Sequence, residues 1–132
     1  MTVESLDTNI LLRLVLNDVP EQGQKVQALL SGKARKFRVD DLALTELVFV
    51  LEKLYRLNRR EIAEMLDIIL SIPQLLLDRP LFQTVVQLYL ASPALSITDC
   101  YLTSAASAHG AVPLWTFDKK LAHQCPDARE LR

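Results

Sequence analysis

Short apolar segments alternate with helical patterns along this chain, and this alternation limits the possible folds more than any other feature. The clearest helical segment runs from about Leu44 to Tyr55, where apolar residues recur at i, i+3, i+4 and i+7. The same spacing returns from Arg59 to Ser71, and Pro73 marks the end of that helix. Apolar strands that alternate with helices favour parallel strands joined by crossover helices, in a layered α/β arrangement.

The remaining segments continue this alternation. The predicted strands are Val3–Leu6, Phe37–Val39, Leu75–Leu77, Val112–Trp115 and Ala128–Leu131. The other predicted helices are one that begins at Ile10, Glu21–Ser31, Pro80 to about Ala91, Asp99–His109 and a helical turn at Lys119–Ala122. Gly32 is a predicted C-cap. Thr98 is the predicted N-cap of the helix that begins at Asp99, and that helix is predicted to close at Gly110.

Length and charge restrict the domain count and the kind of partner. With 132 residues, half of them hydrophobic, the chain suits a single domain over residues 1–132 and is too short for two ordinary ones. A net charge of −1 argues against a protein that coats nucleic acid by bulk electrostatics. The chain has two clusters of basic residues, and such clusters are more often solvated faces: Lys33, Arg35, Lys36 and Arg38, and Lys53, Arg56, Arg59 and Arg60.

The N-terminal residues and the cysteines indicate an ordinary cytoplasmic protein. Residues 1–5 lack the basic and apolar regions of a secretory signal, and charges interrupt every apolar run well before the ~20 residues of a membrane-spanning helix. Cys100 and Cys125 are outside any CxxC pair, and we expect two reduced thiols. His123 with Cys125 falls short of the four ligands of a structural zinc site.

Four acidic residues stand where an α/β sheet usually places its chemistry. Asp7 follows the first predicted strand and Asp118 follows the strand that ends near Trp115, so both belong at the carboxyl edge of the sheet. Glu46 and Asp99 are predicted in the first turns of helices that face this edge. Taken singly, each acid is explained by the preference of carboxylates for helix N-termini.

Asp99 is harder to explain in that way. Leu102 and Ala106, at i+3 and i+7, place it on the apolar side of its helix, where an unpaired charge is costly. The only basic residues adjacent to any of the four acids are Lys119 and Lys120. A divalent ion such as Mg²⁺ or Mn²⁺, which prefers hard oxygen ligands and binds substrate phosphates, fits better and indicates phosphoester chemistry.

The segments around these acids resemble the PIN-domain family, and most closely the VapC group of toxin-antitoxin ribonucleases. The similar segments are LDTNILL at 6–12, LTELVFVL at 44–51, ITDCYL at 97–102 and TFDKKL at 116–121. The resemblance implies a three-layer sandwich with a short, mainly parallel central sheet of about five strands. It also implies an endoribonuclease dependent on Mg²⁺ or Mn²⁺, a cognate antitoxin that inhibits it, and a homodimer.

The resemblance also assigns roles to individual residues. It implies that Asp7, Glu46, Asp99 and Asp118 form an acidic quartet that is both catalytic and metal-binding, with Asp7 and Asp99 as the principal metal ligands. Asn9 would orient Asp7, and Thr116 would support the site through a hydroxyl hydrogen bond. Asp40 and Asp41 add negative charge before the Glu46 helix, which could weaken the approach of RNA there.

Other readings of the sequence lead to different tests. A metal-independent ribonuclease could use His109 and His123 as acid and base, and chelation would leave it active. A dehalogenase-like phosphatase would need a second Asp where the chain has Asn9, and the scattered glycines form no phosphate-binding loop. A catalytically silent PIN-fold binding module, acting with an antitoxin or DNA-binding partner, should tolerate the loss of metal and of Asp99.

Overall fold

The computed structural model describes residues 2–32 and 34–132, so Lys33 of the first basic cluster lies outside the described residues. Backbone contacts divide the chain into an N-terminal unit that ends at Asp78 and a C-terminal unit that begins at Arg79. Each unit contains its own small parallel sheet and its own helices.

The described residues of the N-terminal unit, 2–32 and 34–78, form three strands and four helices. In chain order they are β1 (Thr2–Ser5), α1 (Thr8–Val15), α2 (Pro20–Leu30), β2 (Arg35–Arg38), α3 (Asp41–Lys53), α4 (Arg59–Leu70) and β3 (Leu75–Leu76). The strands are parallel in the order β1-β2-β3, with Ser5 opposite Arg38 and Phe37 opposite Leu75. The carboxyl ends of β1 and β2 therefore lie side by side, and they lead into α1 and α3.

Apolar side chains from the sheet and all four helices form the core of this unit. Helix α1 contacts both α3 and α4. Several of these residues have at most 1% of their surface exposed, including Leu11, Leu44, Leu47, Leu51, Ile62, Leu66, Ile69 and Leu75. The α4 members recur at the spacing read from the sequence, and Leu47 and Leu51 of α3 are buried as that spacing predicts. Leu54, which the same spacing places on the α3 face, is 75% exposed, and Leu44 and Val48 are buried instead.

Local hydrogen bonds set the ends of these helices. Helix α4 begins with a capping box, in which Asn58 accepts from the Glu61 N–H and the Glu61 carboxylate accepts from the Asn58 N–H. Helix α3 begins at Asp41, three residues before the predicted start. The prediction of Gly32 as a C-cap is wrong, because the C-cap of α2 is Ser31, whose N–H bonds to the Ala28 carbonyl.

The C-terminal unit contains three helices and two strands. They are α5 (Arg79–Ala91), α6 (Ile97–Ala108), β4 (Leu114–Thr116), α7 (Lys119–Gln124) and β5 (Ala128–Glu130), and β4 pairs in parallel with β5. Helix α5 packs on α6, where the Phe82 and Tyr101 ring centroids are 5.7 Å apart. Gly110 has a φ of +66°, a left-handed conformation that ends α6 as predicted.

The α/β class and the parallel pairing of the strands are confirmed, but the single five-stranded sheet is wrong. The strands pair as three and two. Within the described residues, no helix is both long enough and apolar enough to span a membrane.

Candidate active site

Asp7 occupies the turn between β1 and α1. It is the N-cap of α1, and its Oδ1 accepts a hydrogen bond of 3.1 Å from the Ile10 N–H. The residue is exposed, and the cap uses one carboxylate oxygen. The second oxygen, Oδ2, is therefore available to another ligand.

Asp118 repeats this arrangement in the C-terminal unit, between β4 and α7. Its Oδ1 accepts from the N–H groups of Lys120 at 2.9 Å and Leu121 at 3.2 Å, which makes it the N-cap of α7. The Thr116 hydroxyl oxygen accepts from the Asp118 backbone N–H at 2.9 Å. Asp118 is thus fixed from both sides, again through one carboxylate oxygen.

Glu46 lies on α3 and is exposed. The prediction that it occupies the first turn is wrong, because α3 begins at Asp41 and Glu46 falls in the second turn. The additional charge of Asp40 is partly offset, since its Oδ1 lies 2.6 Å from the Arg38 guanidinium. Both groups of that ion pair are more than half exposed, so it contributes little to stability.

Asp99 lies in the first turn of α6, as predicted, and is half-buried. The N-cap is Ser96 rather than Thr98, and the Ser96 hydroxyl accepts from the Asp99 N–H at 3.1 Å. The prediction that Leu102 shares an apolar face with Asp99 is also wrong, because Leu102 is 46% exposed. The residues of α6 that are buried are Ile97, Cys100, Thr103 and Ser104, so Asp99 lies at the edge of that face.

The two cysteines are unpaired and buried. Burial raises the pKa of the Cys125 thiol, and the nearby charge of Asp99 raises it further. Cys125 therefore lies within electrostatic range of Asp99 in the C-terminal unit. His109, the C-cap of α6, and His123, in the last turn of α7, are both exposed.

A cavity of about 740 Å³ adjoins Asp7. Its lining residues come from α1, α2 and the connection between them: Asp7, Asn9, Ile10, Arg13, Val19, Gln22, Lys25, Val26 and Leu29. Asn9 shares this lining with Asp7, but no side-chain hydrogen bond joins the two within residues 2–32 and 34–132. The cavity brings amide, apolar and basic side chains to one predicted catalytic acid.

A three-residue network behind this cavity was not predicted. Arg13 Nη1 lies 2.6 Å from Asp18 Oδ1, Arg13 Nη2 donates to the Tyr55 hydroxyl at 3.1 Å, and that hydroxyl donates to Asp18 Oδ2 at 2.9 Å. Hydrogen bonding to Tyr55 raises the pKa of Arg13. Partial desolvation acts to raise the pKa of Asp18, but hydrogen bonds from Tyr55 and Arg13 and the Arg13 charge outweigh it and lower that pKa.

The donor chemistry of the four acids suits a hard divalent cation. In the described part of the chain none of them forms an ion pair with Lys or Arg. Two of the acids, Asp7 and Asp118, keep one oxygen outside their cap bonds, and Mg²⁺ can be held by one or two carboxylates together with substrate phosphate. Neither unit contains, among its described residues, a group of three or more His, Cys, Asp and Glu side chains placed to hold a metal.

The family model of the PIN domain matches residues 5–125. The chain belongs to the PIN domain family. The match includes all four acids, and PIN domains are in general nucleases that use divalent metal ions. A search of curated proteins found no match to the chain.

Proposed function

We propose that this PIN-domain protein is an endoribonuclease dependent on Mg²⁺ or Mn²⁺ and that Asp7, Glu46, Asp99 and Asp118 form its active site. The main support is an arrangement found in both units of a PIN-family chain. Asp7 and Asp118 each follow a parallel strand, cap the next helix through Oδ1 and leave Oδ2 available. Helix capping alone does not account for two such carboxylates within one family match that is typical of metal-dependent nucleases.

In this proposal the four side chains divide the work. Asp7 and Asp99 would be the principal metal ligands, and Glu46 and Asp118 would complete the acidic set. Thr116 would hold Asp118 in place through the hydrogen bond to its backbone, and Asn9 would support Asp7 from the shared cavity wall. A bound divalent ion lowers the pKa of a coordinated water and stabilises charge on the phosphate during hydrolysis of a phosphodiester.

We further propose that the nuclease is the toxin of a toxin-antitoxin pair and that it forms a homodimer. The support for this finer assignment is the resemblance of its four acidic segments to the VapC group. Helices α3 and α4 offer candidate surfaces for either contact, because they expose apolar side chains at Leu42, Phe49 and Ile68. A cytoplasmic location would accompany this role.

RNA cleavage tests the proposal. The purified protein is incubated with total RNA in Mg²⁺ or Mn²⁺ and in excess chelator, alongside an Asp99→Asn variant and an Asp67→Asn control on the exposed surface of α4. We expect discrete cleavage that requires metal, disappears in Asp99→Asn and persists in Asp67→Asn. Cleavage that persists with chelator and in Asp99→Asn would favour the histidine mechanism or a contaminant, and no cleavage at all would favour a binding module.

A further inference from the structure

We propose that the C-terminal unit binds single-stranded RNA by stacking bases on Trp115 and Phe117, while the backbone lies in an adjacent basic groove. This inference rests on the proposed function, since it assigns the substrate contacts of the same nuclease. It concerns residues 115–132 alone.

Two large aromatic side chains are exposed beside a predicted catalytic acid. Phe117 is 78% exposed and immediately precedes Asp118, and Trp115 is 54% exposed on β4. Phe and Trp are costly to leave in water, and their flat faces are the surfaces on which unpaired bases stack. A base on Phe117 would sit one residue from the Asp118 carboxylate.

A basic side chain adjoins one of these rings. Trp115 lies opposite Arg129 in the β4–β5 register, and the Arg129 guanidinium lies 5.5 Å from the Trp115 ring centroid. Arg129 also lines a groove of about 660 Å³, together with Lys119, His123 and Arg132. The aromatic surface and the groove therefore share one side chain.

The charge of the groove matches a phosphate backbone. Its lining carries the cations Lys119, Arg129 and Arg132, against one carboxylate, Glu130, which lies 3.7 Å from the Arg132 guanidinium. Lys119 and Arg129 have no ion pair with a carboxylate in the described part of the chain. A positive groove beside aromatic rings is the arrangement that binds single strands, whereas a duplex keeps its bases stacked away from such rings.

The chain carries its own probe for this interaction, because Trp115 is its only tryptophan. A single-stranded RNA of twelve nucleotides is titrated into the protein at low salt with chelator, and the Trp115 fluorescence is recorded. We expect the RNA to quench the fluorescence, and the affinity to fall as salt is raised. The same RNA annealed to its complement should bind much more weakly.

Three substitutions locate the contact. Phe117→Ala should weaken binding by about five- to a hundredfold, the loss typical of one stacked base, while Phe117→Tyr should bind as the wild type does. Lys119→Ala should weaken binding and reduce the salt slope by about 0.7. Phe49→Ala, which removes another exposed Phe from α3 of the N-terminal unit, should have no effect.

Several results would overturn the proposal. These are unchanged fluorescence, equal binding of duplex and single strand, equal quenching by polyglutamate, and a Phe117→Ala variant that changes the sedimentation coefficient but binds RNA normally. The last would show that Phe117 contacts a second copy of the chain. The titration contains no available metal, so it measures binding separately from the cleavage assay. Binding here without cleavage in that assay would overturn only the nuclease, and cleavage there without binding to these residues would overturn only this inference.

Discussion

The carboxylate of Asp118 has a structural role and a proposed catalytic role, and two substitutions separate them. Its Oδ1 accepts hydrogen bonds from the backbone N–H groups of both Lys120 and Leu121, so Asp118→Ala removes the cap of α7. Loss of an N-cap side chain costs about 0.5–2 kcal/mol of the free energy of unfolding. Asn keeps the capping oxygen, and Asp118→Asn should lose only the interaction of the charge with the helix dipole, about 0.3–1 kcal/mol or less at this exposed site.

The two variants should therefore differ in stability but agree in activity. Urea denaturation followed by circular dichroism should rank the wild type and Asp118→Asn close together, with Asp118→Ala below them. Metal-dependent RNA cleavage should fall at least tenfold in both variants, because neither Asn nor Ala supplies an anionic ligand. If Asp118→Asn retains full cleavage while Asp118→Ala loses it, Asp118 acts only as a helix cap and the reasoning is refuted.

Three further predictions follow from packing and electrostatics. Tyr55→Phe should lower the free energy of unfolding by about 0.5–1.5 kcal/mol at neutral pH. The stability difference between the wild type and Tyr55→Phe should shrink as the pH falls through the lowered folded-state pKa of Asp18, because protonation removes the carboxylate that accepts the Tyr55 hydrogen bond. A stability difference in urea denaturation that does not change with pH would contradict this. Leu51→Ala, at a fully buried position of α3, should lower the free energy of unfolding by about 2–5 kcal/mol. Leu54→Ala, at a position 75% exposed, should change it by no more than about 0.5 kcal/mol, and equal urea midpoints for the two variants would contradict this. Cys125 should resist iodoacetamide at neutral pH in the folded protein and react after denaturation, because burial raises the pKa of its thiol. Rapid alkylation of Cys125 in the native protein, detected by mass spectrometry, would contradict this.

Much of the fold follows from local patterns in the sequence. The helices near Leu44–Tyr55 and Arg59–Ser71 form where apolar residues recur at helical spacing, and most of the apolar face is buried, although Leu54 at the end of the first helix is exposed. The ends of helices are less predictable, since they depend on which of several neighbouring polar side chains bonds to the free backbone N–H groups of the first turn. Ser96 caps α6 in place of Thr98, and Asp41 starts α3 before its apolar pattern begins.

Features that depend on distant residues were not predictable from one sequence. The pairing of five strands as three and two depends on which strand edges meet, and local alternation contains no information about that. The Tyr55–Asp18 hydrogen bond joins residues 37 positions apart. The burial expected for Leu102 also failed, because helical spacing gives the members of a face but not the side on which the core lies.

The strand-terminal acids were predictable for a physical reason. A carboxylate in the short connection between a parallel strand and a helix has its position fixed by both elements, so Asp7 and Asp118 each lie between a strand and a helix as predicted. The two strands belong to separate sheets, however, and not to one sheet edge as the sequence suggested. The Thr116 contact to Asp118 follows from the same short connection. Glu46 is farther along its helix, and its placement depended on a boundary that the pattern did not reveal.

Sulfur substitution at the cleaved phosphate tests the central claim, metal-dependent hydrolysis of RNA, most directly. An RNA with a phosphorothioate at one mapped cleavage site is compared with its oxygen counterpart in Mg²⁺ and in Mn²⁺, since sulfur is a poor ligand for Mg²⁺ and a better one for softer ions. The account predicts slow cleavage of the sulfur RNA in Mg²⁺ and recovery in Mn²⁺, with the oxygen RNA cleaved in both. Cleavage of both RNAs at the same rate in chelator as in metal would contradict it.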